Sequence, residues 1–353
     1  MKYRLYLRTL RLMDANLDRL SEGLRVLEDV SRFILGNEHT TEILKRLRHE
    51  LTATEPALKN KLLASRDSEG DIGRESPVAG IERKHLIDLV TANAKRAQES
   101  LRVLEEFAKL PETPPEIAER NFEHARFTIY EVERELTLLL SRQDKLERID
   151  GVYVIIDSQE LAQNSATEAV RQVIAGGAKV VQLRDKERNK PELITLASAI
   201  RHICAEAGIL FIVNDNVDIA LAIDADGVHL GRGDLPVTLA RQMLPPNMII
   251  GRTARTVEQA LQAQSESADY IGVGAIYNSP TKPDAEVIGL ERLREIRSAV
   301  SLPIVALGGI NESNAPEVVE SGADCIAVIS AVLNSKDIEA STSRLAKQVS
   351  QKG

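Results

Sequence analysis

From Val152 onward, short runs of aliphatic and β-branched residues alternate eight times with amphipathic stretches. Polar groups recur just behind those runs: Asn214-Asp215 behind one, Asp234 behind the next, Thr281-Lys282 two runs later. Eight β/α units with carboxylates and an ammonium at strand C-terminal ends predict an α/β fold, a (β/α)8 TIM barrel that carries its chemistry on that face. Before Val152 the chain is rich in Leu, Arg and Glu at helical spacing and nearly lacks strand signals, so an all-α N-terminal domain precedes the barrel. The change of character falls at Glu147 to Gly151, giving expected domains of 1–148 and 149–353.

The expected strand cores are Val152–Asp157, Val180–Arg184, Leu210–Asn214, Gly227–Leu230, Ile249–Thr253, Tyr270–Ile276, Pro303–Leu307 and Cys325–Ile329. Runs such as Pro303-Ile304-Val305-Ala306-Leu307 are apolar throughout, as in a parallel sheet covered on both faces. Between them lie helical segments, among them Glu168–Ala175, Glu192–Ala205 and Glu291–Ala299. A doubly wound open sheet is the alternative, disfavoured because no dinucleotide fingerprint follows the first strand.

The helical part contains a repeat offset by 77 positions: Ala15 to Arg19, Glu22 and Leu24 to Glu28 match Ala92 to Arg96, Glu99 and Leu101 to Glu105. Leu20, Leu24 and Leu27 form one buried stripe and Ala97, Leu101 and Leu104 the other, so the copies are expected to pack on each other. Arg19, Glu22, Arg25 and Glu28 stand three apart, as in a solvated ladder of ion pairs. A polar seam around a pseudo-twofold axis, with the charged loop Arg66 to Gly73 and a ligand, is the competing reading. The role of this domain stays open.

Composition excludes several classes. A formal charge of −8, with 5 Phe, 6 Tyr and no Trp, argues against a nucleic-acid surface. No signal peptide and no apolar run of membrane-spanning length is present, so a cytoplasmic protein is expected, with no membrane partner. Cys204 and Cys325 lack metal-ligand spacing and read as buried free thiols. A homo-oligomer is compatible with all of this.

At the expected barrel mouth, period-two alternation points Gln182, Arg184 and Lys186 to one side, and two inward cations call for an anionic partner. A structural ion pair with Asp185 or Asp215 is the bland alternative. Asp215 and Asp234 follow neighbouring strands, about 4.8 Å apart in a sheet, and two carboxylates there can share one magnesium ion with a diphosphate. Tight-turn chemistry accounts for either Asp alone. Ser279, Thr281 and Lys282 add donors and a cation from a loop after strand six. Gly308-Gly309 after strand seven and Ile329-Ser330 after strand eight fall where this fold binds phosphate through backbone N–H groups. Two anion sites, one cationic and metal-assisted, suggest group transfer from a diphosphate ester to a phosphorylated acceptor.

The strings QLRDK, VNDN, GVHLGRGD, IGRT, SPTK, ALGGI and AVIS, in this order and spacing, resemble the thiamine-phosphate synthase family across residues 151–340. The resemblance implies a transferase that joins an aminopyrimidine methyl diphosphate to a thiazole phosphate, plain or carboxylated, by a magnesium-assisted dissociative displacement that releases diphosphate. It implies that Gln182, Arg184, Lys186 and Asn214 hold the diphosphate substrate and that Asp215 and Asp234 hold Mg2+. Leu183 and Asp185, within the same string, are implied to bind substrate too, as are Ser279, Pro280, Thr281 and Lys282 in the loop over it. Thr253, Gly309, Ile329 and Ser330 complete the pockets, and Lys282, Arg184 and Thr253 are the implied catalytic residues. Thr253 stands where the family often has Ser, Ser279 where it has Thr, and Asn278 where it has Pro; the first two keep a hydroxyl. The helical extension resembles that of cyanobacterial-type members. Alternatives are a thiazole tautomerase-type isomerase, which shares the phosphate pocket but not the diphosphate cluster, and a non-catalytic phosphate-ligand sensor.

Overall fold

The computed structural model describes residues 2–67, 83–161, 165–279 and 285–349. It divides into two compact units, Met1–Ser141 and Arg142–Gly353.

The first unit is helical: α1 (Lys2–Asp29), a π-helical turn at Val30–Ile34, α2 (Glu38–Thr52), α3 (Pro56–Ala64), α4 (Leu86–Ala108), α5 (Pro115–Ala118) and most of α6 (Phe122–Glu147). The sequence repeat is visible in its core. Leu20, Leu24 and Leu27 on α1 and Ala97, Leu101 and Leu104 on α4 are all wholly buried. The two helices approach closely at Gly23, where an added Cβ would sit 3.0 Å from the Asn93 carbonyl. Asn16 and Asn93, equivalent in the repeat, are both buried, and each donates its side-chain N–H to the carbonyl four residues back, Leu12 and Leu89, at 2.8 Å. Arg19, Glu22 and Arg25 are exposed, as in a solvated ladder, but Glu28 is buried and accepts from Arg48 of α2 at 2.8 Å. Its counterpart Glu105 accepts from Arg126 of α6 at 3.1 Å. Arg66 reaches back to Asp14 and, at 2.6 Å, to Asp18; Ser68 to Gly73 of the charged loop lie outside the described residues.

The second unit is a closed barrel of eight parallel strands in chain order: β1 (Gly151–Asp157), β2 (Val180–Arg184), β3 (Leu210–Asn214), β4 (Gly227–Leu230), β5 (Ile249–Ala254), β6 (Tyr270–Gly274), β7 (Ile304–Leu307) and β8 (Cys325–Val328). Helices begin about two residues earlier than the apolar periodicity alone suggests, because capping side chains start them: Ser165 accepts from the Glu168 N–H and Asn189 from the Glu192 N–H.

Alternation divides the strands cleanly. Val152, Val154, Ile156, Val181, Leu183, Phe211 and Val213 pack outward in the layer beneath the helices. Tyr153, Val180, Leu210, Ile212, Ile249, Tyr270, Val305 and Cys325 turn into the lumen, where Leu146 and Ile149 join them. Both cysteines are buried free thiols, Cys325 in the lumen and Cys204 on the helix Lys190–Glu206, where burial pushes its thiol up to about 12.

The last residues of α6 belong to this unit and tie to the strand starts. Lys145 pairs with Asp226 at 3.2 Å and donates to the Asn247 carbonyl at 3.0 Å, while Arg142 meets Asp269 at 3.5 Å. Both aspartates are nearly buried, so removing these partners leaves buried carboxylates less well compensated. A chain beginning at Ile149 is therefore expected to melt roughly 5 °C or more below one beginning at Leu140. Equal melting temperatures in calorimetry would show that the helix end contributes nothing.

Candidate active site

One cavity of about 660 Å³ occupies the barrel and opens among the loops behind its strands, a volume typical of ligand pockets. It brings together Gln182 and Arg184 from β2 with Lys186 just beyond it, Asn214 from β3 with Asp215 just beyond it, Asp234 after β4 and Thr253 on β5. Ser279, Gly309, Ile329 and Ser330 line it as well. Leu183 and Asp185 do not. Leu183 has the outward parity and packs beneath the helices. Asp185 accepts from the backbone N–H groups of Glu187 and Arg188 at 3.0 and 2.9 Å and pairs with Ser158 and the Arg188 side chain. Burial alone would raise its carboxyl, but these donors, led by the Arg188 N–H, hold it below the usual range. Pro280, Thr281 and Lys282 lie outside the described residues.

The two β2 cations differ. Arg184 pairs with Asp157 at the end of β1, whose side chain is 2% exposed, so its structural partner is neither Asp185 nor Asp215. Lys186 is exposed and forms no ion pair among the described residues.

Asp215 adopts a left-handed backbone, φ 63°, which Asp tolerates better than most residues, and its N–H donates to the His229 carbonyl at 2.9 Å. Asp234 accepts from the Gly231 N–H at 2.7 Å. Burial, then the neighbouring Asp234, pushes the Asp215 carboxyl up to about 6, against the pull of Lys186 and Arg184. Two carboxylates held in repulsion are what a hard cation relieves. Among the described residues no group of three His, Cys, Asp or Glu side chains converges on a metal position, so water and phosphate oxygens would supply the remaining ligands.

Beneath these groups runs a chain of hydrogen bonds. Gln182 Nε2 donates to Asn214 Oδ1 at 2.7 Å and Gln182 Oε1 accepts from the Tyr153 hydroxyl at 2.6 Å. The Tyr153 and Tyr270 hydroxyls lie 3.2 Å apart, crossing the lumen from β1 to β6. Tyr270 then meets His229 Nδ1 at 3.1 Å, and His229 Nε2 meets Thr253 Oγ1 at 3.1 Å. Burial raises both phenols well above their ordinary range, so they remain neutral links. Gly251 makes room for them, since a Cβ there would stand 2.5 Å from the Tyr270 oxygen. One consistent direction has Tyr153 donate to Gln182, Tyr270 to Tyr153 and a neutral His229 to Tyr270 from Nδ1, so that His229 Nε2 accepts from the Thr253 hydroxyl.

At the far side, Gly308 and Gly309 have φ of 95° and 66°, and a Cβ would stand 2.6 Å from Ala275 Cβ and 2.7 Å from Tyr277 Cβ respectively. Only glycine lets this backbone run so close to the loop behind β6 while lining the cavity. Sequence reading missed Tyr153, Asp157, His229, Tyr270 and Arg255. Period-two parity flags Arg255, two residues past Thr253; the others needed the closed barrel.

Such a cavity, with paired carboxylates and cations on one side and a tight glycine loop on the other, fits a TIM-barrel enzyme that handles phosphorylated substrates. Residues 152–332 match the family model described as thiamine monophosphate synthase, and residues 11–135 match the ThiD2 family. Thiamine-phosphate synthase of Prochlorococcus marinus (strain MIT 9303) is 39% identical, with 96% of each chain covered. That of Thermosynechococcus vestitus is 37% identical over 97% of this chain and 95% of its own. The structure of thiamine phosphate pyrophosphorylase from Pyrococcus furiosus is 42% identical, with TM-score 0.54, covering 58% of this chain and 96% of that one. The chain belongs to the thiamine-phosphate synthase family, a family of transferases. No helix among the described residues is long and apolar enough to cross a membrane.

Because the Asp215 carboxyl is raised in the fold, its contribution to stability is present below pH 4 and is lost as pH rises through about 6. In EDTA at pH 7.5, Asp215→Asn should stabilise the protein by about 1 kcal/mol after solvent screening is discounted. The gain should vanish near pH 4. Thermal melts that show Asp215→Asn destabilised at pH 7.5 would refute the repulsion.

Proposed function

We propose that the barrel joins an aminopyrimidine methyl diphosphate to a thiazole phosphate, plain or carboxylated, forming thiamine phosphate and releasing diphosphate; from the carboxylated thiazole carbon dioxide leaves as well, its bonding pair staying on the ring carbon, which takes up a proton from water. The observation that carries this reading is the Asp215 and Asp234 pair beside Arg184 and Lys186, in the same cavity as Gly309 and Ser330. An isomerase or a phosphate sensor needs the glycine loop but has no use for the carboxylate pair and its cations.

Gln182 and Asn214 offer amide donors and acceptors suited to the amino group and ring nitrogens of a pyrimidine. Asp215 and Asp234 would hold Mg2+, whose charge, when bound, offsets that of the diphosphate. Arg184, Lys186 and, from its place in the sequence, Lys282 face the charge that develops as the methylene C–O bond breaks and its electron pair leaves with the diphosphate. The thiazole nitrogen then gives its lone pair to the pyrimidine methyl cation to form the C–N bond. That nitrogen carries no proton, so no general base is required. The backbone N–H groups near Gly309 and Ser330 hold the thiazole phosphate, as the glycine-permitted approach of the two loops favours. The enzyme is placed in the cytoplasm.

Lys186→Ala and Lys282→Ala are expected to lower coupling turnover by about 100-fold or more, with little change in melting temperature for Lys186→Ala. Arg184→Ala should lose both activity and stability, because Asp157 is left buried without its guanidinium. Asp234→Asn should raise the magnesium concentration needed for half-maximal rate, read by product formation from the two substrates. Full activity of the wild-type chain in EDTA would overturn the metal assignment.

A further inference from the structure

Arg255 stands one residue past β5, on the inward parity of Ile249, Gly251 and Thr253, and lines the cavity. Its backbone is pinned: its N–H donates to Gln259 Oε1 at 2.9 Å, while Thr256 caps the helix Val257–Ser265 by accepting from the Gln259 N–H at 3.3 Å. Its guanidinium is not. The side chain is half-buried, its Nε is shielded from solvent without a hydrogen-bond partner, and no carboxylate among the described residues pairs with it. Three other arginines of this unit, also partly buried, have partners. Arg184 has Asp157, Arg241 has Asp269, and Arg252 donates to the carbonyls of Gly231 and Leu235 at 2.8 and 3.3 Å. A guanidinium keeps its charge and five donors in a planar fork, so enclosing one unanswered in a cavity wall is costly unless an anion arrives to meet it.

We propose that Arg255 binds the diphosphate group of the pyrimidine substrate and of the released product, completing the cationic half of the cavity from the β5 side. The assignment rests on the reaction proposed above. Diphosphate is favoured over the thiazole phosphate by position: β5 borders β4, whose loop carries Asp234, whereas the glycine loop lies between β7 and β8. β5 thereby repeats the arrangement of β2, where Lys186 holds the same parity two residues beyond Arg184. As the C–O bond breaks, the leaving diphosphate gains negative charge and its contact with Arg255 strengthens, so the residue acts on turnover as well as on binding.

The test uses the full chain with Arg255→Met and Arg255→Lys. Titration calorimetry with inorganic diphosphate and magnesium should show the Met variant weakened by about 10- to 100-fold, and the Lys variant by less. In coupling assays kcat/KM for the pyrimidine diphosphate should fall with it, while KM for the thiazole phosphate stays within about twofold. The ligand-free Met variant should melt no lower than wild type, because no native partner is lost. Unchanged diphosphate affinity, a shift confined to the thiazole phosphate, or a lower melting temperature with unchanged binding would each overturn the proposal. A wild-type chain that binds diphosphate through Arg255 yet forms no thiamine phosphate would instead count against the reaction and leave the binding residue standing.

Discussion

Closure of eight short parallel strands forces every second side chain into a single lumen, and the rest of the second unit depends on that constraint. Once the sheet closes, parity alone decides whether a residue meets the helices or the cavity. Leu183 and Gln182 are neighbours in the chain, yet one packs under helices and the other ends in a hydrogen-bonded chain with Tyr153 and Asn214. The same constraint explains the glycines of β5 and β6. A lumen this narrow cannot hold the Tyr270 and His229 rings unless Gly251 and Gly272 give up their side chains.

Charge then distinguishes the two ends of the lumen. At the base, each buried carboxylate is matched: Asp226 by Lys145, and Asp269 by Arg241 and Arg142. At the mouth the matching is incomplete. Asp215 and Asp234 repel each other, and Lys186 and Arg255 have no carboxylate partner among the described residues. A structure that pairs its charges at one end and leaves them unbalanced at the other keeps binding capacity where the cavity opens, and the metal and diphosphate of the proposed reaction would supply the missing charges.

The helical unit shows how a repeat becomes a core. Its apolar stripes and its two buried asparagines are equivalent in both copies. The acid closing each copy is handled alike, with Glu28 answered by Arg48, 20 residues further along the chain, and Glu105 by Arg126, 21 residues further along. Side-chain spacing on one helix suggests a solvated ladder for Glu28; the neighbouring helix turns it into a buried ion pair. Nothing in the spacing along α1 points to Arg48.

The sequence by itself determined the class of fold, the order of its strands, the inward parity of Gln182, Arg184 and Lys186, and the gathering of carboxylates and glycines behind the strands. These follow from periodicities of two and of about 3.6 residues, which are local properties of the chain. It reached the family as well, because short polar strings are themselves local. Only the tertiary structure decided that Arg184 answers Asp157, that Asp185 turns away from the cavity, and that Tyr153, Tyr270, His229 and Thr253 join Gln182 in one chain of hydrogen bonds. Tyr153 and Tyr270 are 117 residues apart. Contacts across a lumen depend on how far the barrel closes and on which rings fit the space that remains, and no spacing within a strand contains that information.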